Sequence, residues 1–316
     1  MPVSSPKLCR VVLLSGPTAV GKSAAALELA ENLGGEIVNG DSLQVYRYLD
    51  IGTAKPDIAE RARVPHHLFD ILEPDEPFNA PDFQVRADSV IAAVDSRGRF
   101  PLVVGGTGLY LKALLYGLCE MPEPDPEIRA ELERRLAQEG SPALHLELAA
   151  RDPEMAARLF PNDRTRVLRA LETVLSTGRS LAWFQERHRF RAERYRFLHL
   201  WLDLERAELY RRIDLRVEKM LAAGLLDEVR GLLDRGFSPE LKPLQSIGYR
   251  QAIAYLEGRL GYDEMVADIQ QATRRYAKRQ LTWLRHDPRA LRIPAAAAGQ
   301  AELRQRVADF LTSPQP

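Results

Sequence analysis

The stretch from Arg10 to Leu33 limits the possible folds of this chain more than any other. An apolar run, RVVLLS, leads into the Gly-rich segment Gly16–Ser23 and then into the helical pattern KSAAALELAENL, which ends at Gly34 and Gly35. The Gly-rich segment fits the spacing GxxxxGK[ST], in which backbone N–H groups surround a diphosphate at a helix N-terminus. A strand, a phosphate-binding loop and a helix in this order predict a P-loop NTPase-like parallel α/β sheet flanked by helices.

The residues of this loop have distinct predicted tasks. Backbone N–H groups ring the diphosphate, Lys22 supplies a positive charge, and the Ser23 hydroxyl is offered to Mg²⁺. The predicted diphosphate-binding residues are Gly16, Pro17, Thr18, Ala19, Val20, Gly21, Lys22 and Ser23. A nucleotide hydrolase normally also has an apolar strand ending in an Asp that organises Mg²⁺ and the attacking water. Here the strand PLVVGG leads to Thr107 instead, so the loop predicts diphosphate binding but not chemistry on a nucleoside triphosphate.

Composition narrows the class of protein. With 45% hydrophobic and 28% charged residues in a chain of 316, the protein has ordinary globular usage and length enough for a core with an additional domain. Basic and acidic residues balance at 44 each, so any polyanionic partner must be sought in local clusters. Cys9 and Cys119 lie outside any CxxC pair, which favours a reducing cytosol and two buried thiols. The first apolar run is too short to span a bilayer, and we expect a cytoplasmic protein.

Further patterns divide the chain into a core and an insertion. Strands are predicted at Glu36–Asn39, in PLVVGG and at Phe197–Leu204, with helices at about residues 81–96 and in GLYLKALLYG. This alternation favours a doubly wound parallel sheet. Residues 121–195 instead contain Pro-punctuated helices and no convincing strand, so they predict an inserted all-helical domain. We expect residues 1–120 and 196–316 to form the catalytic core, with long helices to about residue 285 and a frayed C-terminus.

Asp41 and Thr107 follow the second and third predicted strands. Ligands of open α/β sheets bind beyond the carboxyl ends of the strands, so both side chains should face the diphosphate. A carboxylate there can accept a proton from a nucleophile, and a hydroxyl can orient the same group. Alternatively, Asp41 caps a turn and Thr107 caps the next helix. The spacing alone leaves both interpretations open.

Five stretches together resemble the bacterial tRNA dimethylallyltransferase (tRNA isopentenyltransferase) family. They are GPTAVGKS, DSLQVYRYLDIGTAKP (residues 41–56), VGGTGLYLKAL (104–114), SIGYRQ (246–251) and RRYAKRQLTWLR (274–285). The resemblance implies that the loop holds the pyrophosphate of dimethylallyl diphosphate with Mg²⁺. It also implies that the acceptor is N6 of adenosine 37, beside the tRNA anticodon. Asp41 would then be the catalytic base, Thr107 would orient the acceptor, and Arg216 would stabilise the departing pyrophosphate.

Two regions are suited to RNA. Seven Lys and Arg face one acid, Asp287, in residues 270–292, and Arg158–Arg196 of the insertion carries ten Arg against four acids. From the residues alone, a charged amphipathic helix, a salt-bridged helix or, around Arg216, a solvated face would also explain these clusters. The resemblance implies tRNA contacts at Asp41, Ser42, Leu43, Gln44, Thr107, Arg129, Thr165, Arg166, Val167, Leu168, Arg169, Ser246, Ile247, Gly248, Tyr249, Arg250, Gln251, Lys278, Arg279, Gln280, Leu281, Thr282, Trp283, Leu284 and Arg285.

Three other functions compete with this hypothesis. A small-molecule P-loop kinase would use the same loop, but it leaves the insertion and the basic C-terminal helix without a task. An isopentenyltransferase for free adenine nucleotides would need no RNA surface, and a non-enzymatic RNA-binding module would not need an intact loop. His66 and His67 lack further ligands at metal-like spacing, so we do not expect them to bind a metal ion. The sequence has no Cys/His cluster after Arg292, so we expect no zinc finger. We therefore expect a monomer that binds a tRNA anticodon stem-loop and no membrane.

Overall fold

The structure, a computed structural model, describes residues 8–119, 121, 125–188 and 192–314. Two compact units make up the chain. The core unit comprises Met1–Leu115 and Glu193–Pro316, and the helical unit comprises Tyr116–Ala192. The helical unit therefore begins and ends within the sequence of the core unit.

One parallel sheet forms the centre of the core unit. In the described residues its strands are β1 (Arg10–Ser15), β2 (Gly35–Asn39), β3 (His66–His67), β4 (Phe100–Val104), β5 (Arg196–Asp203) and β6 (Ala290–Pro294). Their order across the sheet is β3-β2-β4-β1-β5-β6. In the central strand β1, Leu14 is paired with Val104 on one side and Leu200 on the other, both in parallel. The predicted P-loop-type parallel α/β sheet is confirmed.

Helices cover this sheet. In the core unit they are α1 (Lys22–Leu33), α2 (Ile58–Arg63), α3 (Ala80–Ser96), α4 (Gly108–Tyr116), α10 (Arg206–Ala222), α11 (Leu225–Asp234), α12 (Tyr249–Leu256), α13 (Tyr262–Arg285) and α14 (Ala297–Thr312). Residues Val11, Val12, Leu13 and Leu14 of β1 are fully buried. Because successive strand residues point to opposite faces, both faces of the sheet are packed.

The C-terminal region differs from the prediction. β6 has only one buried residue, Ile293, so its sequence carries no period-two pattern. It forms because pairing with β5 satisfies its backbone. Leu303 and Val307 of α14 are buried in the core, so the expectation of a frayed C-terminus was wrong through Thr312. β3 was missed because it has only two residues.

The helical unit has its own apolar core. Its helices are α5 (Pro126–Glu139), α6 (Ser141–Arg151), α7 (Pro153–Ala157), α8 (Arg164–Thr177) and α9 (Leu181–His188). Leu132, Leu144, Leu148 and Leu171 are at most 1% exposed and pack together. Its described residues contain no strand, as the Pro-punctuated pattern predicted.

The two cysteines are more exposed than predicted. Cys9 and Cys119 are both only partly buried. The Cys9 thiol lies 3.5 Å from a carboxylate oxygen of Asp95, and burial together with that charge raises the pKa of Cys9. The expectation that both thiols are buried was therefore wrong.

Candidate active site

The Gly-rich loop that was predicted to bind a diphosphate connects β1 to α1. Gly16 has φ 148°, and a Cβ at this position would lie 2.8 Å from the carbonyl oxygen of Leu202 in β5. Glycine is required here because a side chain would push the loop off the sheet. Lys22, the first residue of α1, donates from Nζ to the carbonyl oxygens of Gly16 and Pro17, each at 2.9 Å. The loop thus closes on its own lysine, at the helix N-terminus where an anion is favoured.

Three charged side chains from distant parts of the chain share this site. Burial lowers the pKa of Lys22 to about 8; the charge of Arg216 adds to this effect and the charge of Asp41 opposes it. Burial also lowers the pKa of Arg216, again opposed by Asp41. These mutual effects indicate that Lys22, Arg216 and Asp41 are close enough to influence one another's charge.

The turns that carry Asp41 and Thr107 are locked together. The Gly40 N–H donates to the Val104 carbonyl at 2.8 Å, and a Cβ on Gly105 would lie 2.2 Å from the Gly40 carbonyl oxygen. Thr107 Oγ1 accepts from the backbone N–H of Ser42 at 3.2 Å. Glycine at both turns permits this close approach and brings the ends of β2 and β4 to one edge of the sheet.

Asp41 combines a local and a site-facing role. Its Oδ1 accepts from the Leu43 N–H at 2.8 Å, which is the turn-capping interaction that the sequence left open. Its other carboxylate oxygen receives no hydrogen bond from the described residues. The turn thus fixes the carboxylate and leaves one oxygen for a ligand. The Thr107 side chain faces the Ser42 turn, while its carbonyl accepts from Tyr110 at the start of α4.

Arg216 and Gln44 meet at the same backbone carbonyl. Arg216 Nη2 donates to Thr53 O at 3.4 Å, and Gln44 Nε2 donates to Thr53 O at 3.0 Å and to Ala54 O at 3.3 Å. Arg216 therefore stands apart from its neighbours on α10. Arg211 and Arg212 both pair with Glu208 on the surface, as the sequence predicted for them.

Gln280 was predicted to contact tRNA, but it is buried in the core unit. Its side chain is 7% exposed, and its Oε1 accepts from the Thr18 N–H at 2.9 Å. Its Nε2 donates to Gly106 O at 3.1 Å. Gln280 thus holds the phosphate-binding loop against the turn that precedes α4. The pattern of apolar residues along α13 does not indicate that Gln280 contacts this loop.

The other residues of α13 divide between two faces. Leu284 is 2% exposed, and the Trp283 ring lies against Gly108, where a Cβ would approach it to 2.7 Å. The exposed face carries Lys278, Arg279, Thr282 and Arg285. Burial and the Asp41 charge both raise the pKa of Tyr276, so this phenol is close enough to Asp41 to be influenced by its charge. No sequence pattern indicated this proximity.

The stretch Ser246–Gln251 is also divided. Tyr249 is completely buried and Gln251 is 2% exposed, so neither side chain is available to RNA in this conformation. Gln251 instead accepts from the Gly248 N–H at 2.9 Å. Arg250 is exposed.

In the helical unit, the predicted tRNA residues again separate by burial. Val167 and Leu168 belong to the apolar core, whereas Thr165 and Arg166 are exposed. Arg169 and Arg129 both reach the buried carboxylate of Glu172, at 2.6 Å and 3.5 Å. Of the remaining residues predicted to contact tRNA, the core unit contains Ser42, Leu43, Gln44, Ser246, Ile247 and Leu281, and the helical unit contains Arg129.

Mg²⁺ fits this site only as a partner of bound phosphate. Among the described residues, no group of three or more His, Cys, Asp or Glu side chains is placed to hold a metal ion. Ser23 is exposed at the start of α1, beside the loop. Mg²⁺ commonly uses one or two protein ligands together with substrate phosphates and water, and this is what Ser23 can offer.

In the described residues no helix is both long enough and apolar enough to cross a membrane.

A parallel sheet with a Gly-rich loop after its central strand and polar side chains at its carboxyl edge defines the class of P-loop α/β proteins. Comparison with known proteins narrows this class. A family model described as "IPP transferase" matches residues 44–287, and one described as "Isopentenyl transferase" matches residues 9–64. The tRNA dimethylallyltransferase of Syntrophobacter fumaroxidans is 55% identical over 278 residues, covering 88% of this chain and 81% of that relative. That of Geobacter sulfurreducens is 54% identical, covering 88% and 90%.

Solved structures agree with these relatives. The full-length tRNA isopentenylpyrophosphate transferase of Bacillus halodurans has 38% identity and a TM-score of 0.71, with 96% of each chain covered. A eukaryotic dimethylallyltransferase described as acting on tRNA has 28% identity and a TM-score of 0.80, with 96% of this chain and 80% of that chain covered. This chain belongs to the tRNA dimethylallyltransferase (IPP transferase) family.

Proposed function

We propose that this protein transfers a dimethylallyl group from dimethylallyl diphosphate to N6 of adenosine 37 in tRNA and releases pyrophosphate. The observation that carries the proposal is that Lys22 in the loop and Asp41 in the turn after β2 influence each other's charge together with Arg216. Two cations and a helix N-terminus suit a leaving diphosphate, and a carboxylate beside them suits an amine that must lose a proton. Membership of the family supports this substrate pair.

The diphosphate binds in the loop. Its oxygens accept from the Lys22 ammonium, which exchanges its contacts with Gly16 O and Pro17 O for phosphate, and from backbone N–H groups of the loop. Pro17 has no N–H to offer, and the Thr18 N–H already donates to Gln280. Ser23 would hold Mg²⁺ with the diphosphate, and the ion, when bound, supplies further positive charge at the leaving group. Arg216 is placed to stabilise the charge that grows on pyrophosphate as it departs.

The acceptor amine approaches Asp41. The adenine N6 is a weak nucleophile because its lone pair is delocalised into the ring. The new bond forms between N6 and C1, the carbon of the dimethylallyl group that carries the diphosphate. As it forms, the bond between C1 and the diphosphate oxygen breaks, and its electron pair leaves with pyrophosphate. The N6 proton passes to the carboxylate oxygen of Asp41 that the turn leaves available. Thr107, fixed by Ser42 N–H at 3.2 Å, orients the acceptor.

We assign tRNA binding to the exposed members of the predicted set. In the core unit these are Lys278, Arg279, Thr282 and Arg285 of α13, with Arg250 of α12. In the insertion, residues 121–195, they are Thr165 and Arg166. We also include Arg129 and Arg169, which are partly exposed and paired with Glu172. The target is the anticodon stem-loop, whose unpaired bases can be turned outward into a site. We also propose that the protein is a monomer and acts in the cytoplasm.

A transfer assay distinguishes this function from its rivals. Labelled dimethylallyl diphosphate and Mg²⁺ are offered with an unmodified anticodon stem-loop, AMP or ATP. We expect label on the stem-loop adenosine alone. Label on AMP or ATP would indicate a free-nucleotide isopentenyltransferase, phosphate release from ATP without prenyl transfer would indicate a kinase, and RNA binding without turnover would indicate a binding module.

A further inference from the structure

We infer that Glu228 of α11 is a positioning residue that sets the place of Arg216 through the loop Asp50–Lys55. The inference rests on the proposed function, because it concerns the arginine assigned there to the leaving pyrophosphate. Glu228 matches no stretch of the family resemblance and was not predicted from the sequence. Its effect is carried by backbone groups rather than by contact with a ligand.

The Glu228 carboxylate accepts four hydrogen bonds. Its Oε2 accepts from the N–H groups of Asp50 at 3.0 Å and Ile51 at 2.6 Å. Its Oε1 accepts from the Gly52 N–H at 3.1 Å and from the Tyr249 hydroxyl at 2.6 Å. An ionised carboxylate offers about four acceptor positions, so all of them are used. Three consecutive backbone N–H groups directed at one anion fix the conformation of that segment.

The clamped segment is folded into a compact turn. The Ala54 N–H donates to Ile51 O and the Lys55 N–H donates to Asp50 O, each at 3.0 Å. The Thr53 hydroxyl donates to Leu49 O at 2.6 Å. This turn leaves the carbonyl of Thr53 available to the site, where it accepts from both Arg216 and Gln44. The position of the Thr53 carbonyl therefore depends on the segment that Glu228 holds.

Tyr249 makes the clamp rigid. Its ring is completely buried, and a Cβ on Gly52 would lie 2.5 Å from it, so the ring packs directly on the loop backbone. Tyr249 begins α12, and Glu228 lies on α11, so two helices hold one face of the loop. This contact joins the stretch DIGTAKP to the stretch SIGYRQ in the fold.

Glu228→Gln tests the clamp with little change in volume. A glutamine presents one oxygen and one N–H₂ group, so at least one of the three backbone N–H groups loses its acceptor. We expect kcat for prenyl transfer to fall about 10-fold or more while KM for dimethylallyl diphosphate changes less, because Arg216 acts on charge that develops during the reaction. Glu240→Gln is the matched control, since Glu240 is exposed, and it should retain the activity of the wild type.

A double-mutant cycle distinguishes positioning from general destabilisation. In the Arg216→Lys background, Glu228→Gln should change kcat by less than about twofold, since the group it positions is already altered. Loss of kcat by the same factor in both backgrounds would overturn the inference, as would wild-type kcat in Glu228→Gln alone. The same cycle is measured with the Kd of pyrophosphate, which needs no turnover. If the wild type transfers no prenyl group, the proposed function fails, and the pyrophosphate cycle still decides the role of Glu228.

Discussion

The lowered pKa of Lys22 predicts a pH dependence that an ordinary lysine would not show. The pKa is about 8, against 10.5 for an unperturbed lysine, because burial disfavours the ammonium and Arg216 lies nearby. In the free protein, about nine-tenths of Lys22 is then charged at pH 7 and about one-tenth at pH 9. Under the proposed function, we expect diphosphate to bind the charged form, because its oxygens would take the place of the loop carbonyls.

The affinity for dimethylallyl diphosphate should therefore fall about tenfold between pH 7 and pH 9, a loss of about 1.4 kcal/mol. With a pKa of 10.5 the loss would be below about a tenth of the affinity. Calorimetric titration of the protein without Mg²⁺ and without tRNA measures this directly. The phosphate oxygens are fully ionised over most of this interval, so the ligand contributes little to the change.

Lys22→Arg is the control, because a guanidinium remains charged throughout the interval. Its affinity should be independent of pH. The stability of the free wild type should change in the opposite direction, because the unfolded chain binds more protons than the folded one between about pH 8 and pH 10.5. Stability from this group therefore rises with pH as binding weakens. A flat binding curve in the wild type, or an equal tenfold loss in Lys22→Arg, would refute the argument.

Three other changes test separate parts of the structure. Asp41→Ala should lower prenyl transfer by about 10²–10⁴-fold while tRNA affinity stays within a few-fold, as measured by single turnover and filter binding. Replacing both Lys278 and Arg279 by Ala should weaken tRNA binding and reduce the slope of log K against log salt by about one to two. Gly108→Ala should destabilise the fold by about 1–3 kcal/mol in urea unfolding, because its Cβ would lie 2.7 Å from the Trp283 ring.

Each of these variants has a control or a contrary outcome. Near-normal turnover in Asp41→Ala would remove Asp41 from the mechanism. For the basic helix, replacing Arg211 and Arg212 by Ala should leave the salt slope unchanged, because both pair with Glu208. For the glycine, Gly231→Ala in α11 meets no atom within 4 Å and should stabilise by about 0.5–1 kcal/mol. Equal effects of the two glycine changes would contradict the contact with Trp283.

The parallel sheet, the Gly-rich loop after β1 and the position of Asp41 and Thr107 at one edge of the sheet could all be predicted from the sequence. These features depend on residues that are close in the chain or on a general rule. Gly16 and Lys22 lie within one turn of backbone, and parallel strands bring their carboxyl ends to one edge of a sheet. Local spacing is therefore enough to predict them.

Which of the predicted side chains face the site could not be predicted from the sequence, because it depends on the packing of distant segments. Gln280 reaches Thr18 across 262 residues, and Arg216 reaches Thr53 across 163. Such contacts depend on how helices pack, which the period of a single helix does not specify. Tyr249 and Leu284 are likewise buried, although their neighbours Arg250 and Arg285 are exposed. Adjacent residues of a helix point about 100° apart, so one stretch of sequence serves both the core and the solvent.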